Sequence, residues 1–193
     1  MRTIRVAEGC TRCPDLVANR SCIAHGYGAA GAQVLFVGEA PGYRGADVTG
    51  VPFTLDRSGV RLQRVLIELG LSDEADPRLA TPRLRCFLTN VVRCNPPSNR
   101  TPTRAETDNC LPYLWQELAL IGPRIIVPVG NLAARAVFPH LLDRQAPPIT
   151  EIHARVFSKD GRWIVPMRHP ARISNADLER FGEVLGDLLQ QVV

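Results

Sequence analysis

The chain has 193 residues, 45% of them hydrophobic and 22% charged, which suits one globular domain and excludes a disordered tail or a fibrous repeat. No run of about 18 apolar residues occurs, so no membrane-spanning helix is expected, and the N-terminus MRTIRVAEGC lacks the apolar stretch of a secretory signal, which points to the cell interior. The net charge is +4, and of 23 basic residues only Lys159 is a lysine; arginine suits bidentate phosphate contacts and stacking on bases, so a nucleic-acid partner is permitted.

In chain order, residues 1–30 show weak periodicity and read as a small N-terminal element. Short apolar runs at residues 33–37, 86–92, 124–129 and 163–167 predict four buried strands. Ser58 is a plausible N-cap for a helix carrying Leu62, Val65, Leu66 and Leu69 on one face. Thr103 opens a second helix, with Glu106 completing a capping box, and Gly122-Pro123 stops it after Leu120. Residues 131–138 and 176–192 predict two more helices. This alternation predicts an α/β fold with a mostly parallel sheet and right-handed crossovers.

Residues 78–104 hold six arginines and no acid, and four prolines make much of the stretch loop. The functional reading is a phosphate-contacting strip. The C-terminal helix instead carries Asp177, Glu179, Glu183 and Asp187, the side expected to face away from a polyanion.

Six cysteines in such a chain are not expected to form disulfides. Cys10 and Cys13 make a C-x-x-C pair, Cys94 and Cys110 a second pair fifteen residues apart, and Cys22 and Cys86 are left over. Four thiolates from two distant segments suggest one metal site that pins the N-terminal element. The spacing leaves zinc and an iron–sulfur cluster both open.

Ligands of open α/β sheets bind beyond the carboxyl ends of the strands. There the sequence places Glu39 after the first strand, Asn90 after the second and His169 after the fourth. Phe53, in the loop before the Ser58 helix, could stack on a flat heterocycle. Asp47 and Asp56 are further carboxylates of that loop, and Asp56 also suits a helix cap. Phosphate binding alone needs none of these groups, so a carboxylate, a carboxamide and an imidazole at one edge indicate catalysis.

These residues carry a resemblance. C-T-R-C near the N-terminus, G-E-A-P-G, G-V-P-F-T-L-D-R-S-G, L-T-N-V-V-R-C-N-P-P-S-N-R, Cys110 and R-H-P-A-R-I-S occur in that order. Together they resemble the iron–sulfur branch of the uracil-DNA glycosylase superfamily over nearly the whole chain. The resemblance implies a three-layer αβα sandwich around a central four-stranded parallel sheet. It implies one domain over residues 1–193, with segment 1–30 tied in by a four-iron, four-sulfur (4Fe-4S) cluster on Cys10, Cys13, Cys94 and Cys110. It implies excision of uracil from DNA: Phe53 stacks on the base, Asn90 reads its edge, His169 stabilises charge on O2, a carboxylate supports the sugar, and Ile173 wedges into the minor groove.

The match is mixed in kind. Glu39 in G-E-A-P-G is like the fourth family of the superfamily, whereas the length of the 42–51 loop and F-T-L-D-R-S-G with Asp56 are like the fifth. Glu39 ranks first as the catalytic carboxylate, ahead of Asp47 and Asp56. A roomier pocket would admit hypoxanthine or xanthine. A non-catalytic iron–sulfur module that binds DNA, or a zinc-stabilised scaffold, would also suit the cysteine pattern. The only lysine, Lys159, is far from every motif, which implies a monofunctional enzyme without lyase activity. The expected setting is a monomer acting on uracil-containing DNA, cytoplasmic and nucleoid-associated in a bacterial or archaeal cell, with no membrane contact.

Overall fold

The computed structural model describes residues 2–192, so the expected bounds 1–193 reach one residue beyond it at each end. Seven strands, β1 (Arg2–Ile4), β2 (Gly26–Gly28), β3 (Val34–Gly38), β4 (Phe87–Asn90), β5 (Ile125–Pro128), β6 (Phe157–Lys159) and β7 (Arg162–Ile164), form one mixed sheet. Their order across the sheet is β1-β2-β4-β3-β5-β7-β6. Around it lie α1 (Pro14–Asn19), α2 (Ala46–Thr49), α3 (Arg57–Glu68), α4 (Arg104–Ile121), α5 (Asn131–Leu142), α6 (Ile149–Ile152) and α7 (Asn175–Val192). Among the described residues, no helix is long and apolar enough to cross a membrane.

The four strands read from the sequence are mutually parallel at the centre, β3 pairing with both β4 and β5, and β5 with β7. The sheet as a whole corrects the four-stranded parallel expectation, because β1, β2 and β6 add antiparallel pairs. Each added strand has three residues and no apolar run of its own. Pairing with a neighbour makes it a strand, as Tyr27 opposite Leu88 does for β2.

Burial follows the period-two alternation of a strand covered on both faces. Val34 and Phe36 join one core, with Leu62, Val65 and Leu66 of α3 and Phe181 and Leu185 of α7. Leu35 and Val37 join the other, with Leu114 and Leu118 of α4 and Ala133, Val137 and Phe138 of α5. Helices thus cover the sheet on both sides, and the strand ends are left to form a site.

The α4 capping box is present: Glu106 N–H donates to Thr103 Oγ1 at 3.2 Å and Thr103 N–H to Glu106 Oε2 at 2.7 Å. Arg100 clasps the same carboxylate through two bonds of 2.7 and 2.8 Å, and these contacts hold Glu106 down at about 2. The cap of α3 is Asp56, not Ser58: Asp56 Oδ1 accepts from Gly59 N–H at 2.7 Å and from Ser58 Oγ at 2.6 Å.

One ion pair is fully enclosed. Arg93 and Glu117 are 1% and 0% exposed at the side chain and meet through bonds of 2.6 and 2.8 Å. Glu117 also accepts from Thr89 Oγ1 at 2.6 Å and Gly26 N–H at 3.1 Å. It thereby ties α4 to β2, β4 and the loop after β4.

Candidate active site at the carboxyl ends of the strands

Asn90 ends β4 in register with Gly38 at the end of β3. A side chain at Gly38 would strike Asn90 Oδ1 and would lie 2.7 Å from Cζ of Phe53. The carboxamide and the ring therefore approach each other across bare backbone, which only glycine provides. Asn90 is 3% exposed, and its Nδ2 has no hydrogen-bond partner. A buried donor left unpaired costs about 1–3 kcal/mol, so its retention marks a position that a ligand completes.

His169 follows β7 and precedes the 3-10 turn Pro170–Arg172. Its Nδ1 is likewise buried without a partner. Burial, and then the Arg172 charge, push its pKa below the ordinary 6.5, while Asp56 pulls weakly the other way, which favours the neutral imidazole at neutral pH. The neighbouring backbone is fixed from behind: Arg168 N–H donates to His153 Nδ1 at 3.1 Å, and the Arg168 guanidinium binds Asp177 at 2.9 Å. His153 thus positions the segment entering the site, a role its sequence context did not signal.

Phe53 sits in a tightly held loop. Its φ is +56° and that of Leu55 +61°, left-handed values disfavoured for side-chain-bearing residues. Gln63 Nε2 donates to Phe53 O at 3.1 Å, and the Thr49 and Thr54 hydroxyls meet at 2.6 Å. Strain kept by such over-determination is characteristic of functional loops.

The three candidate carboxylates have different surroundings. Glu39 directly follows Gly38 and is half-buried; burial raises its pKa, opposed by a hydrogen bond with the Thr101 side chain and by the Arg172 charge. Asp47 is 4% exposed, and both its oxygens accept from Ser21 N–H, at 3.1 and 3.2 Å. It thereby secures the N-terminal segment. Asp56 caps α3 through Oδ1, and its Oδ2 lies against Gly42 and Gly45, where side chains would come within 2.6 and 2.8 Å of it.

In the free protein Ile173 is 5% exposed and packs in the core with α3 and α7; Arg172 is the exposed residue beside it. The arginine strip is not a free cationic surface. Arg78, Arg83, Arg85, Arg93, Arg100 and Arg104 all pair with carboxylates. Their partners lie in residues 73–76 and 106–117, outside the acid-free window. The exposed arginines around the site with no carboxylate within 4.0 Å, among the described residues, are Arg44, Arg57 and Arg172.

On the other side of the loop after β4, four thiols are drawn together. Cys94 lies within electrostatic reach of Cys10 and Cys13, and Cys110 within reach of Cys94 and Cys13. Arg20 Nη1 donates to Cys94 Sγ at 3.1 Å, Asn109 Nδ2 to Cys13 Sγ at 3.5 Å, and the Tyr113 hydroxyl bonds Cys10. Among the described residues, no group of three or more His, Cys, Asp or Glu has the closeness that a single ion requires. Of the two remaining cysteines, Cys22 is bonded to the Asp47 carbonyl at 3.1 Å, and Cys86 is fully buried, its thiol pushed up to about 12.

The profile of the uracil DNA glycosylase superfamily matches residues 25–190. The chain belongs to this superfamily. It is 32% identical to the type-4 uracil-DNA glycosylase of Archaeoglobus fulgidus, over 95% of this chain and 92% of that one. It is 37% identical to the type-4 enzyme of Pyrobaculum aerophilum, over 78% of this chain and 69% of that one. Its identity to the type-5 uracil-DNA glycosylase of the same organism is 33%, over 91% and 86% of the two chains. Similarity to both types at comparable identity agrees with a superfamily member whose loop motifs are mixed.

Proposed function

We propose that the protein is a monofunctional uracil-DNA glycosylase. The observation that carries this reading is the buried Asn90 carboxamide, whose Nδ2 is unpartnered and whose Oδ1 lies beside Phe53 at Gly38. A uracil flipped from the duplex would stack on Phe53. Asn90 Nδ2 would donate to O4 and Oδ1 would accept N3–H. Cytosine presents a donor at position 4 and an acceptor at N3, so it would leave Asn90 mispaired. Such polar readers discriminate by roughly 10⁴-fold or more.

In the reaction the N-glycosidic bond breaks and its electron pair leaves with N1 of uracil. Charge spreads to O2, where the His169 imidazole donates a hydrogen bond. The sugar becomes oxocarbenium-like, water adds to C1′, and the water proton passes to Glu39 or to solvent. Glu39 stabilises the cation and orients the water. The uracil N1 anion takes up a proton from solvent, and the products are free uracil and an abasic sugar.

Cys10, Cys13, Cys94 and Cys110 would hold a four-iron, four-sulfur cluster. The resemblance to the iron–sulfur branch of the superfamily is what favours the cluster over a single zinc, since either takes four thiolates. The donors at the sulfurs of Cys94, Cys13 and Cys10 suit thiolates that ligate a metal group. Its chemistry when bound is cross-linking, fastening the N-terminal segment to α4 and to the loop after Asn90. Cys94→Ala is expected to lose iron and the brown colour of the holoprotein and to unfold at a lower temperature; an iron-loaded, equally stable variant would remove Cys94 from the ligand set.

The pH profile follows from Glu39. Its raised pKa places the loss of ionised carboxylate above the ordinary 4.5, so excision falls on the acid side at higher pH than an exposed glutamate would give. Glu39→Gln is expected to lower the rate by about 10²-fold and to abolish that limb; an unchanged limb would assign it to another group.

DNA binding is expected to weaken steeply with salt. Removal of Arg44, Arg57 or Arg172 each lowers the salt slope by about one, and an unchanged slope in all three variants would place the phosphate contacts elsewhere.

The experiment that tests the reaction class is product analysis. Uracil-containing DNA should yield free uracil and an abasic strand that breaks only in alkali. Lys159, paired with Asp143 on the far edge strand β6, is not placed for a Schiff base. A protein–DNA adduct trapped by borohydride would contradict the monofunctional reading.

A further inference from the structure

The loop that carries Glu39 is held by two different segments. The end of β4 fixes its first residues: Val91 N–H donates to Gly38 O at 2.8 Å and Val92 N–H to Glu39 O at 3.0 Å. Beyond Glu39 the loop is tied to Asn95 and Asn99. Asn95 is 3% exposed, and its carboxamide is fully engaged. Its Nδ2 donates to Pro41 O and to Asn99 Oδ1, both at 2.7 Å, and its Oδ1 accepts from Asn19 Nδ2 at 3.1 Å. Asn99 Oδ1 also accepts from Tyr43 N–H at 3.1 Å. Two asparagines thus clamp the loop at Pro41 and at Tyr43.

The clamping segment is braced in its turn. Ser98 and Asn99 take left-handed φ values of +56° and +52° in the short 3-10 turn Pro97–Asn99, a conformation disfavoured for side-chain-bearing residues and kept by the bonds around it. Just beyond, Arg100 Nη1 donates to Thr101 O at 3.2 Å while its guanidinium clasps Glu106. Thr101 lies between Asn99 and the Thr103–Glu106 cap, and its side chain bonds the Glu39 carboxylate. An apolar side chain would fill position 95 without burying an amide; the carboxamide instead sets the spacing between the Glu39 loop and the segment that carries Thr101.

We propose that Asn95, acting through Pro41 and Asn99, is a positioning residue for the reaction: it keeps the Glu39 loop against Thr101, whose hydroxyl orients the Glu39 carboxylate. The inference rests on the glycosylase reading. Neither asparagine touches a reacting atom. A carboxylate held by one bond has fewer orientations to lose as the sugar cation forms, and a misplacement of about 1 Å costs up to roughly 10²-fold in rate. The hydroxyl donates to the ionised carboxylate and so opposes the rise in pKa that burial gives Glu39. Arg172, the charged group that faces Glu39, acts in the same direction from the turn after His169, outside the clamp.

The test follows the acid limb of single-turnover uracil excision from a U·G duplex. Asn95→Ala should lower the rate by about tenfold and move the limb to higher pH. Its Kd for an uncleavable 2′-fluorinated duplex and the brown colour of the holoprotein should not change. Asn99→Gly opens the same clamp at an exposed site whose φ suits glycine, so it should fold and shift the limb in the same direction. Thr101→Val should do likewise, and adding it to either asparagine variant should move the limb no further than Thr101→Val alone, because all three remove one contact. Thr101→Ser should restore the wild-type limb. Asn19→Ala, which breaks only the bonds on the far side of Asn95, should leave the limb in place. An unmoved limb in Asn99→Gly, or shifts that add in the double variants, would overturn the proposal, and so would rates that fall only with the folded fraction. Failure of the wild-type protein to excise uracil would overturn the glycosylase reading itself, a result separable from any effect of the clamp.

Discussion

Asn90→Ala is expected to slow uracil excision by roughly 10³-fold or more, the scale at which polar base readers and charge-stabilising donors act, while the protein stays folded. The two halves of this expectation share one cause. Asn90 Nδ2 is buried and unpaired, so its removal takes away a group that the free protein does not satisfy. A residue kept for packing behaves in the opposite way, with stability falling and activity following it. The check is a single-turnover rate on uracil DNA together with a thermal midpoint. A variant with full excision would remove Asn90 from base reading, and one that loses rate only in proportion to its folded fraction would make it structural.

Glu117→Ala is expected to destabilise the protein by about 3–5 kcal/mol, because it strands the Arg93 charge in the interior. For a chain of this size that corresponds to a midpoint lower by roughly 10 °C or more. The carboxylate also holds Thr89 and Gly26, so the damage reaches β4 next to Asn90 and the loop that leads to Cys94. Replacing both partners, as in Arg93→Met with Glu117→Leu, is expected to recover much of the loss, since an apolar pair leaves no buried charge. Urea unfolding of the two variants checks this, and a Glu117→Ala protein as stable as wild type would show that water reaches the pair.

The central strands were legible because β3, β4, β5 and β7 are covered on both faces and so require unbroken apolar runs. The edge strands β1, β2 and β6 were not, since three residues such as Gly26–Gly28 become a strand only through a partner. The Thr103–Glu106 cap was legible because its chemistry is local. The start of α3 falls at Asp56 and not at Ser58; both are good caps, and only the left-handed turn at Leu55 decides between them.

At the site, the order of strand ends puts Glu39, Asn90 and His169 after strands of the central sheet, and Phe53 lies beside Asn90 at Gly38. What failed depended on long-range geometry. The arginines of 78–104 found acids beyond their own stretch. Asp47 was claimed by Ser21, and the Arg93–Glu117 pair joins residues whose separation carries no motif.

The most direct measurement is single-turnover excision by the wild-type protein on one duplex sequence carrying, in turn, uracil opposite guanine, uracil opposite adenine, cytosine, thymine, hypoxanthine or xanthine. Excision of uracil with cytosine left intact is the predicted result, because of these two bases only uracil presents the O4 acceptor and N3–H donor that match Asn90. Cutting of hypoxanthine or xanthine in addition would mark a pocket widened at the 42–51 loop. No uracil excision, or cytosine cut as fast as uracil, would contradict the assignment of the Asn90–Phe53–His169 pocket.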